Sequence, residues 1–151
     1  FILMQRKPGG YRQPTKEQRD ASRIDKESFD RWFQQIWNIG GASTKKHPAP
    51  YPLELATRLV RMFSFVGDTV LDPFCGSGTT MVAALRSERN SIGVEIDPEY
   101  CRMAAQYLKA ETEDFFTTAE LRFEKASTET LAMVQEDSAL YEVRPARKRL
   151  V

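Results

Sequence analysis

The stretch Thr69-Val-Leu-Asp-Pro-Phe-Cys-Gly-Ser-Gly-Thr-Thr80 constrains the fold of this chain more than any other. Val70 and Leu71 predict a short buried strand. The strand should end at Asp72, because Pro73 has no N–H to continue a strand ladder. The glycines and small residues that follow predict a tight loop and then a helix. A strand, loop and helix in this order bring exposed backbone amides and the strand's carboxylate to one place, which predicts a ligand site.

Two glycines, Gly76 and Gly78, predict a tight turn whose backbone can approach a ligand without Cβ atoms in the way. Residues 79–85 have the small and apolar side chains of a helix that packs on a sheet. About 20 residues after the loop, Ser91-Ile-Gly-Val-Glu-Ile96 predicts a second strand that ends in Glu95. An acidic residue at that spacing is typical of a site that holds ribose hydroxyls.

The loop differs from two common nucleotide-binding patterns. No Lys follows its second glycine, as a Walker loop requires, and the third glycine of the dinucleotide fingerprint is missing where the helix starts. The Asp72 carboxylate suits an uncharged or cationic ligand better than a pyrophosphate. The residues therefore favour adenosine carrying an amino acid as the ligand, and a nicotinamide-dependent oxidoreductase is the least favoured alternative.

The segment Asp72-Pro-Phe-Cys-Gly-Ser-Gly-Thr-Thr80 resembles the cofactor motif of the DNA amino-methyltransferases, which make N6-methyladenine or N4-methylcytosine. A second segment of this chain, which precedes the first, resembles the family's other cofactor-side motif: His47-Pro-Ala-Pro-Tyr-Pro52 followed by Leu55, Arg58-Leu59 and Phe63-Ser64. This order of motifs is that of the β-type enzymes. The resemblance covers roughly residues 30–110. It implies an α/β fold, the Rossmann-like doubly wound sheet of the S-adenosylmethionine-dependent methyltransferases. This chain is expected to contain only the C-terminal, cofactor-binding part of that fold.

The resemblance also implies which residues form the site. Those expected to bind the cofactor are His47, Pro48, Ala49, Pro50, Asp72, Phe74, Cys75, Gly76, Ser77, Gly78, Thr79, Thr80, Glu95 and Ile96. In this interpretation Asp72 lies near the amino acid end of the cofactor and Glu95 accepts both ribose hydroxyls. His47, the single histidine, positions the ligand and does not abstract a proton, although a lone histidine is more often a hydrogen-bonded structural residue.

Positive charge is concentrated in the first part of the chain. Residues 1–65 carry 12 Lys/Arg against 6 Asp/Glu, which is consistent with a surface that faces phosphates. Glycines among the cations would let the backbone lie close to double-stranded DNA, and the residues expected to contact it are Arg6, Lys7, Tyr11 and Arg12. The alternative is an ordinary surface turn with solvated charges.

Other segments predict the surrounding elements. Phe1–Met4 predicts the tail of a strand, and the polar residues 15–23 predict a loop that is mobile or disordered. Aromatic and apolar residues recur at helical spacing in residues 27–37 and are expected to belong to the core: Phe29, Trp32, Phe33, Ile36 and Trp37. Pro52 is expected to be the first residue of the next helix. A last helix is expected to have Asp97 as its N-cap and Pro98 in its first turn.

These elements suggest three regions. Residues 1–44 are expected to be part of the target-recognition region or a linker, and residues 45–110 to be the cofactor-binding α/β half. Residues 111–151 are expected to be an extension, a peripheral helix followed by a mobile basic tail. Its residues 111–137 carry 8 Asp/Glu against 2 Lys/Arg.

Members of the resembling family carry an acidic, Asn or Ser residue followed by Pro-Pro and an aromatic residue, which binds the target amine and stacks the base. No Pro-Pro pair occurs in this sequence, so no catalytic residue is expected in this chain. In the β-type order that motif lies N-terminal to Phe1, which predicts a missing N-terminal catalytic half. The alternatives are a catalytically silent cofactor-binding module, one half of a two-chain enzyme, or a methyltransferase acting on RNA, protein or a small molecule.

Composition restricts the remaining classes. The chain is 41% apolar and 28% charged, and no apolar run approaches the length of about 18 residues that a membrane span needs. Two cysteines do not make a disulfide framework, which suits a reducing cytoplasm. No metal site is expected. A homodimer and a restriction partner are further options that the sequence leaves open.

Overall fold

The computed structural model describes residues 2–6, 8–10, 12–42, 50–112 and 119–125. The chain divides into two compact units, Phe1–Ala119 and Glu120–Val151. The first unit contains α1 (Lys16–Ala21), α2 (Lys26–Trp32), α3 (Leu53–Phe63), β1 (Thr69–Asp72), α4 (Thr79–Arg86), β2 (Asn90–Gly93) and α5 (Pro98–Thr112). In the second unit, the described residues 120–125 have neither helix nor strand.

The two strands form a parallel sheet in which Thr69 pairs with Asn90 and Asp72 pairs with Gly93. Parallel neighbours need a long crossover connection, and α4 provides it. The amide of Val94 still donates to the carbonyl of Asp72 at 2.9 Å, one residue beyond the ladder. The predicted strand end at Asp72 is confirmed.

The second strand is shorter than the sequence predicts. The prediction ended the strand at Glu95, whereas β2 runs from Asn90 to Gly93 and leaves Glu95 two residues beyond the strand. The physical reason lies in the turn after β1. Phe74 would be the next donor in the ladder, but its amide donates to the Asp72 carboxylate. The Cys75 amide bonds to the Val94 carbonyl in its place, at 3.0 Å, which ends the regular pairing. Glu95 therefore lies in a loop at the carboxyl end of the sheet.

The core lies between α3 and α4 and combines buried Ala56, Val60 and Ala83 with the partly buried Leu53 and Val70. Small side chains on α4 let the helix lie close to its neighbours, and three consecutive residues, 82–84, have no exposed surface. The α3 helix begins at Leu53, so that Pro52 is its N-cap and not, as predicted, its first residue.

A buried arginine fixes the start of β2. Arg89 is 7% exposed and donates hydrogen bonds to the carbonyls of Ser64, at 2.8 Å, and Ser87. Its Nε also donates to the hydroxyl of Ser64 at 3.2 Å. These bonds join the C-terminal end of α3 to the turn between α4 and β2. They therefore connect the elements on either side of the glycine loop and before Glu95.

The prediction of a loop over residues 15–23 is wrong, because α1 forms there. Thr15 and Gln18 make a capping box. The backbone amide of Gln18 donates to the Thr15 hydroxyl at 3.1 Å, and the backbone amide of Thr15 donates to the side-chain oxygen of Gln18 at 3.3 Å. The Gln18 side chain also donates to the carbonyl of Val66 at 3.1 Å. The Val66 amide in turn donates to the hydroxyl of Ser22, the C-cap of α1, at 2.7 Å. A polar helix without an apolar face is thus held by its cap and by two hydrogen bonds to the turn before β1.

The aromatic helix is also shorter than predicted, because α2 ends at Trp32 and not at residue 37. Trp32 is buried at 7% exposure, but Phe29 and Phe33 are each 49% exposed and Ile36 is 80% exposed. The predicted core position is therefore wrong for these three residues. The chain leaves helical geometry at Phe33, so residues beyond it no longer share the face that carries Trp32.

The N-terminal segment forms no strand in its described residues 2–5, and Leu3 is 90% exposed. The predicted strand tail at Phe1–Met4 is therefore not seen, and Phe1 itself lies outside the described residues. A β-strand is stable only when a neighbouring strand hydrogen-bonds to it, and in the described part of the chain no strand lies beside this segment. No helix of that part is long and apolar enough to cross a membrane.

Candidate ligand-binding site

The glycine loop between β1 and α4 depends on two left-handed residues. Gly76 has φ of 51° and Gly78 has φ of 90°, a region that residues with a Cβ rarely adopt. The predicted glycine turn is confirmed. Gly78 is also the N-cap of α4 and supplies no capping side chain, so the first-turn amides of that helix remain available to a ligand.

Gly78 has a second, steric reason to be glycine. A Cβ at this position would lie 3.1 Å from the Cβ and 3.2 Å from the Cα of Ala104 on α5. Gly93 at the end of β2 is equally confined, because a Cβ there would meet the sulfur of Met81 at 2.1 Å. A Cβ at Gly93 would also lie 3.0 Å from the sulfur of Cys75, so the loop lies close to both α5 and β2.

The Glu95 carboxylate organises the loop from the side of β2. One oxygen accepts the amide of Gly76 at 2.9 Å. The other accepts the amides of Ile96 at 2.8 Å and Asp97 at 2.9 Å. A carboxylate has roughly four lone-pair positions, so one acceptor position remains on the oxygen that faces Gly76.

The Asp72 carboxylate is bound at both oxygens. Oδ1 accepts the Phe74 amide at 3.0 Å, and Oδ2 accepts the Thr80 hydroxyl at 2.5 Å. The Tyr51 hydroxyl lies 3.5 Å from Oδ2 and also shares a hydrogen bond with the Thr80 hydroxyl. Asp72 therefore links β1, the glycine loop and the start of α4.

A cavity of about 310 Å³ opens beside the loop. Eight of the residues predicted to bind the cofactor line it: Pro50, Phe74, Cys75, Gly76, Ser77, Thr79, Glu95 and Ile96. Three others do not line the cavity but adjoin residues that do: Asp72 and Thr80, which are hydrogen-bonded to each other, and Gly78, the N-cap of α4. The remaining three, His47, Pro48 and Ala49, lie outside the described residues.

Sequence reasoning missed three residues that line this cavity: Tyr51, Asp97 and Tyr100. A signal for each was present. Tyr51 lies within the proline-rich segment, and Asp97 was predicted only as an N-cap, which its bond from the Glu99 amide at 2.8 Å agrees with. Tyr100 lies in the first turn of α5, and helix N-termini at the end of a parallel sheet commonly face the ligand.

Two large apolar side chains flank the cavity with their surfaces exposed. Phe74 is 88% exposed and Ile96 is 95% exposed. Both side chains line the cavity and offer apolar surface to a ligand there. The site thus combines amides and carboxylates with apolar surface on either side, as a nucleoside carrying polar groups requires.

A second, more apolar groove of about 540 Å³ lies between α3 and β1. Its lining includes Leu55, Leu59, Phe63 and Val70, together with Tyr51. Across the described residues, no group of three or more His, Cys, Asp or Glu side chains could hold a metal ion.

Cys75 lies in the loop as a buried free thiol. Burial, and then the nearby carboxylates of Asp72 and Glu95, raise the pKa of Cys75 to about 11. At pH 8 the thiolate fraction of Cys75 should be about two orders of magnitude below that of an ordinary thiol. We expect iodoacetamide to label Cys75 correspondingly slowly, with a rate that rises until the pH approaches the raised pKa.

Mass spectrometry of the alkylated peptides would measure this rate, with the other free thiol, Cys101, as the internal reference. In urea both thiols should react at similar rates. Labelling of Cys75 in the folded chain at pH 8 as fast as in urea would contradict the expectation.

The residues predicted to contact DNA are only partly described. Lys7 and Tyr11 lie outside the described residues. Arg12 makes an ion pair with Asp68 on the turn before β1 and donates to the Gln18 side chain at 3.2 Å. Its side chain is 54% exposed. Arg6 lies in the described segment 2–6.

Comparison with known proteins gives a consistent set of relatives. Residues 1–106 match the family described as N6_N4_Mtase, DNA methylase. The chain is 50% identical over 103 residues to the type II methyltransferase M.MjaI of Methanocaldococcus jannaschii, covering 64% of this chain and 33% of that protein. It is 42% identical over 111 residues to M.MthZI of Methanothermobacter thermautotrophicus, covering 66% and 31%. The chain thus spans about a third of the length of these relatives.

A solved structure shares the architecture. A candidate DNA modification methylase from Thermus thermophilus, solved in complex with S-adenosyl-L-methionine, is 55% identical, with a TM-score of 0.63 over 73% of this chain and 43% of that one. This similarity confirms the expected α/β fold class. The unit Phe1–Ala119 is part of a Rossmann-like methyltransferase fold. Because the family match covers more than half of its residues, the chain belongs to the N6/N4 DNA methylase family.

Proposed function

We propose that this chain is the cofactor-binding part of a DNA methyltransferase that transfers a methyl group from S-adenosylmethionine to the exocyclic amine of adenine (N6) or cytosine (N4). One observation supports this most strongly. The loop cavity has the Gly76 amide and the Glu95 carboxylate 2.9 Å apart at its wall, in a chain 55% identical to a methylase that was solved with this cofactor.

The residues of the cavity fit this group. The first-turn amides of α4 are donors for a carboxylate, and carboxylates are acceptors for an ammonium or a hydroxyl. Most amides of the loop itself already donate within the chain, namely those of Phe74, Cys75, Gly76 and Gly78. Phe74 and Ile96 offer exposed apolar surface for the faces of a purine. When bound, S-adenosylmethionine would supply a methyl group activated by a positively charged sulfur.

Glu95 is the residue proposed to contact the ribose, and the hydrogen bonds that it already accepts limit the number of ribose hydroxyls it can bind. Three of its roughly four acceptor positions are taken by backbone amides. As it stands, Glu95 can accept one ribose hydroxyl. Accepting both, as the sequence predicts, would require the Gly76 amide to give up its bond.

For the whole protein we propose direct transfer to double-stranded DNA. The target base would be swung out of the duplex, since its amine cannot be reached inside the stack. The residues of this chain would act by orienting the methyl donor and excluding water, which are effects of position and electrostatics. Arg6, Lys7, Tyr11 and Arg12 are the proposed DNA contacts, and residues 1–44 the proposed recognition region.

The catalytic groups would come from another part of the protein. This is supported by the absence of a Pro-Pro pair from the sequence and by the fraction of the relatives' length that the chain spans. A second candidate is a catalytically silent S-adenosylmethionine-binding module or one half of a two-chain enzyme, completed in a homodimer or by a separate chain. The role of residues 111–151 as an extension is part of the proposal.

Isothermal titration of the 151-residue chain with S-adenosylmethionine, and with NAD as a comparison, tests the cofactor assignment. We expect saturable 1:1 binding of S-adenosylmethionine and no saturable binding of NAD. A tritiated methyl-transfer assay on DNA should then give no incorporation with this chain alone. Absence of S-adenosylmethionine binding by a folded chain would overturn the proposal, and methyl transfer by the chain alone would overturn its division into two parts.

A further inference from the structure

Tyr51 occupies an unusual position between the two cavities. Its side chain lines both the 310 Å³ cavity beside the glycine loop and the 540 Å³ apolar groove between α3 and β1. The ring therefore forms part of the wall that separates a polar ligand site from an apolar groove. The residue comes directly before the N-cap of α3, so that helix fixes the position of its backbone.

The hydroxyl of Tyr51 completes a chain of hydrogen bonds. Because the Thr80 hydroxyl donates to Asp72 Oδ2 at 2.5 Å, its oxygen is left to accept from the Tyr51 hydroxyl. The direct distance from the Tyr51 hydroxyl to Oδ2 is 3.5 Å. Aligned hydroxyls of this kind polarise one another, so each bond is stronger in the presence of the other.

The protonation state supports the donor role. Burial raises the pKa of Tyr51 above its ordinary value, and the Asp72 carboxylate adds to this rise. The phenol keeps its proton at neutral pH, and the bond from Thr80 to Asp72 sets the direction in which Tyr51 donates. Asp72 receives bonds at both oxygens, one from the loop's Phe74 amide and one from this hydroxyl chain.

We propose that Tyr51 is a positioning residue, which acts through Thr80 to orient the Asp72 carboxylate toward the amino acid end of the ligand. Its ring at the same time closes the loop cavity against the apolar groove. This inference rests on the proposed function and adds a role for a residue that belongs to neither the glycine loop nor the acidic strand end. Without the Tyr51 hydroxyl, the Thr80 hydroxyl loses the donor that polarises it, so its bond to Oδ2 weakens and Asp72 can rotate away from the ligand.

The test compares ligands with and without the amino acid end. S-adenosylhomocysteine carries the amino acid, and 5′-methylthioadenosine shares the nucleoside but lacks it. Tyr51→Phe removes the hydroxyl and keeps the ring. We expect it to weaken binding of S-adenosylhomocysteine by about fivefold to tenfold and binding of methylthioadenosine by less than about twofold, measured by titration calorimetry on the full chain.

Two further variants make the test specific. Thr80→Val breaks the same chain of hydroxyls, so the double variant should bind no more weakly than the weaker of the two single variants. Tyr107→Phe on α5 removes a hydroxyl from a residue that lines neither cavity and should leave both affinities unchanged. Equal losses for the two ligands in Tyr51→Phe would indicate a general structural role and overturn the inference, as would additive losses in the double variant.

The failure of this inference can be distinguished from failure of the proposed function. If the unaltered chain binds neither ligand, the proposed function fails and this inference with it. If the unaltered chain binds both ligands and Tyr51→Phe binds both equally well, the cofactor assignment stands and the role of Tyr51 is wrong. Thermal unfolding of each variant confirms that the proteins compared are folded.

Discussion

Replacing Glu95 with alanine should lower the affinity of the chain for S-adenosylmethionine by more than about tenfold. Two effects act together. The ligand loses its carboxylate acceptor, and the amides of Gly76, Ile96 and Asp97 lose the acceptor that holds the loop in place. Titration calorimetry on the folded chain would measure the change.

A matched control and an intermediate variant sharpen this experiment. Glu99→Ala on α5 removes the same charge from an exposed residue outside the cavity lining and should leave the affinity within about twofold. Glu95→Gln keeps the shape and one carbonyl oxygen, and should fall between the wild type and Glu95→Ala. Unchanged binding by a folded Glu95→Ala chain would show that this carboxylate is not the ribose contact.

Replacing Gly78 with alanine should lower the free energy of unfolding by about 2–4 kcal/mol. A left-handed residue with a Cβ costs about 1–2 kcal/mol. At Gly78 the new Cβ would also press on the backbone of Ala104, 3.2 Å away, and a backbone cannot rotate aside as a side chain can. Urea denaturation would measure the loss.

The chain contains two glycines that separate these causes. Gly67 has φ of 79° but its nearest neighbour would be 3.9 Å from an added Cβ, so Gly67→Ala should cost only the backbone strain, about 1–2 kcal/mol. Gly40 has nothing within 4 Å, and Gly40→Ala should change stability by no more than about 0.5 kcal/mol. A Gly78→Ala variant no less stable than Gly67→Ala would contradict the packing argument.

The sequence alone determined the elements whose signals lie within a few residues of one another. The end of β1 follows from Pro73, the turn from Gly76 and Gly78, and the start of α5 from Asp97. These residues restrict their own backbone, so their effect does not depend on what packs against them. Eight of the residues expected to bind the cofactor line one cavity for the same reason, because most of them belong to this one loop.

Tertiary structure decided which side chains meet across long separations. Ile36 lies beyond the end of α2, and Phe29 is 49% exposed although it lies within that helix, neither of which periodicity could show. Whether α1 formed depended on an anchor from Gln18 to Val66, 48 residues away. The bond between Tyr51 and Thr80 joins residues 29 positions apart, and that between Gly76 and Glu95 joins residues 19 apart. Such contacts arise only when β1, β2 and α3 are packed together, because a residue's own sequence neighbourhood carries no information about the atoms that folding brings to it.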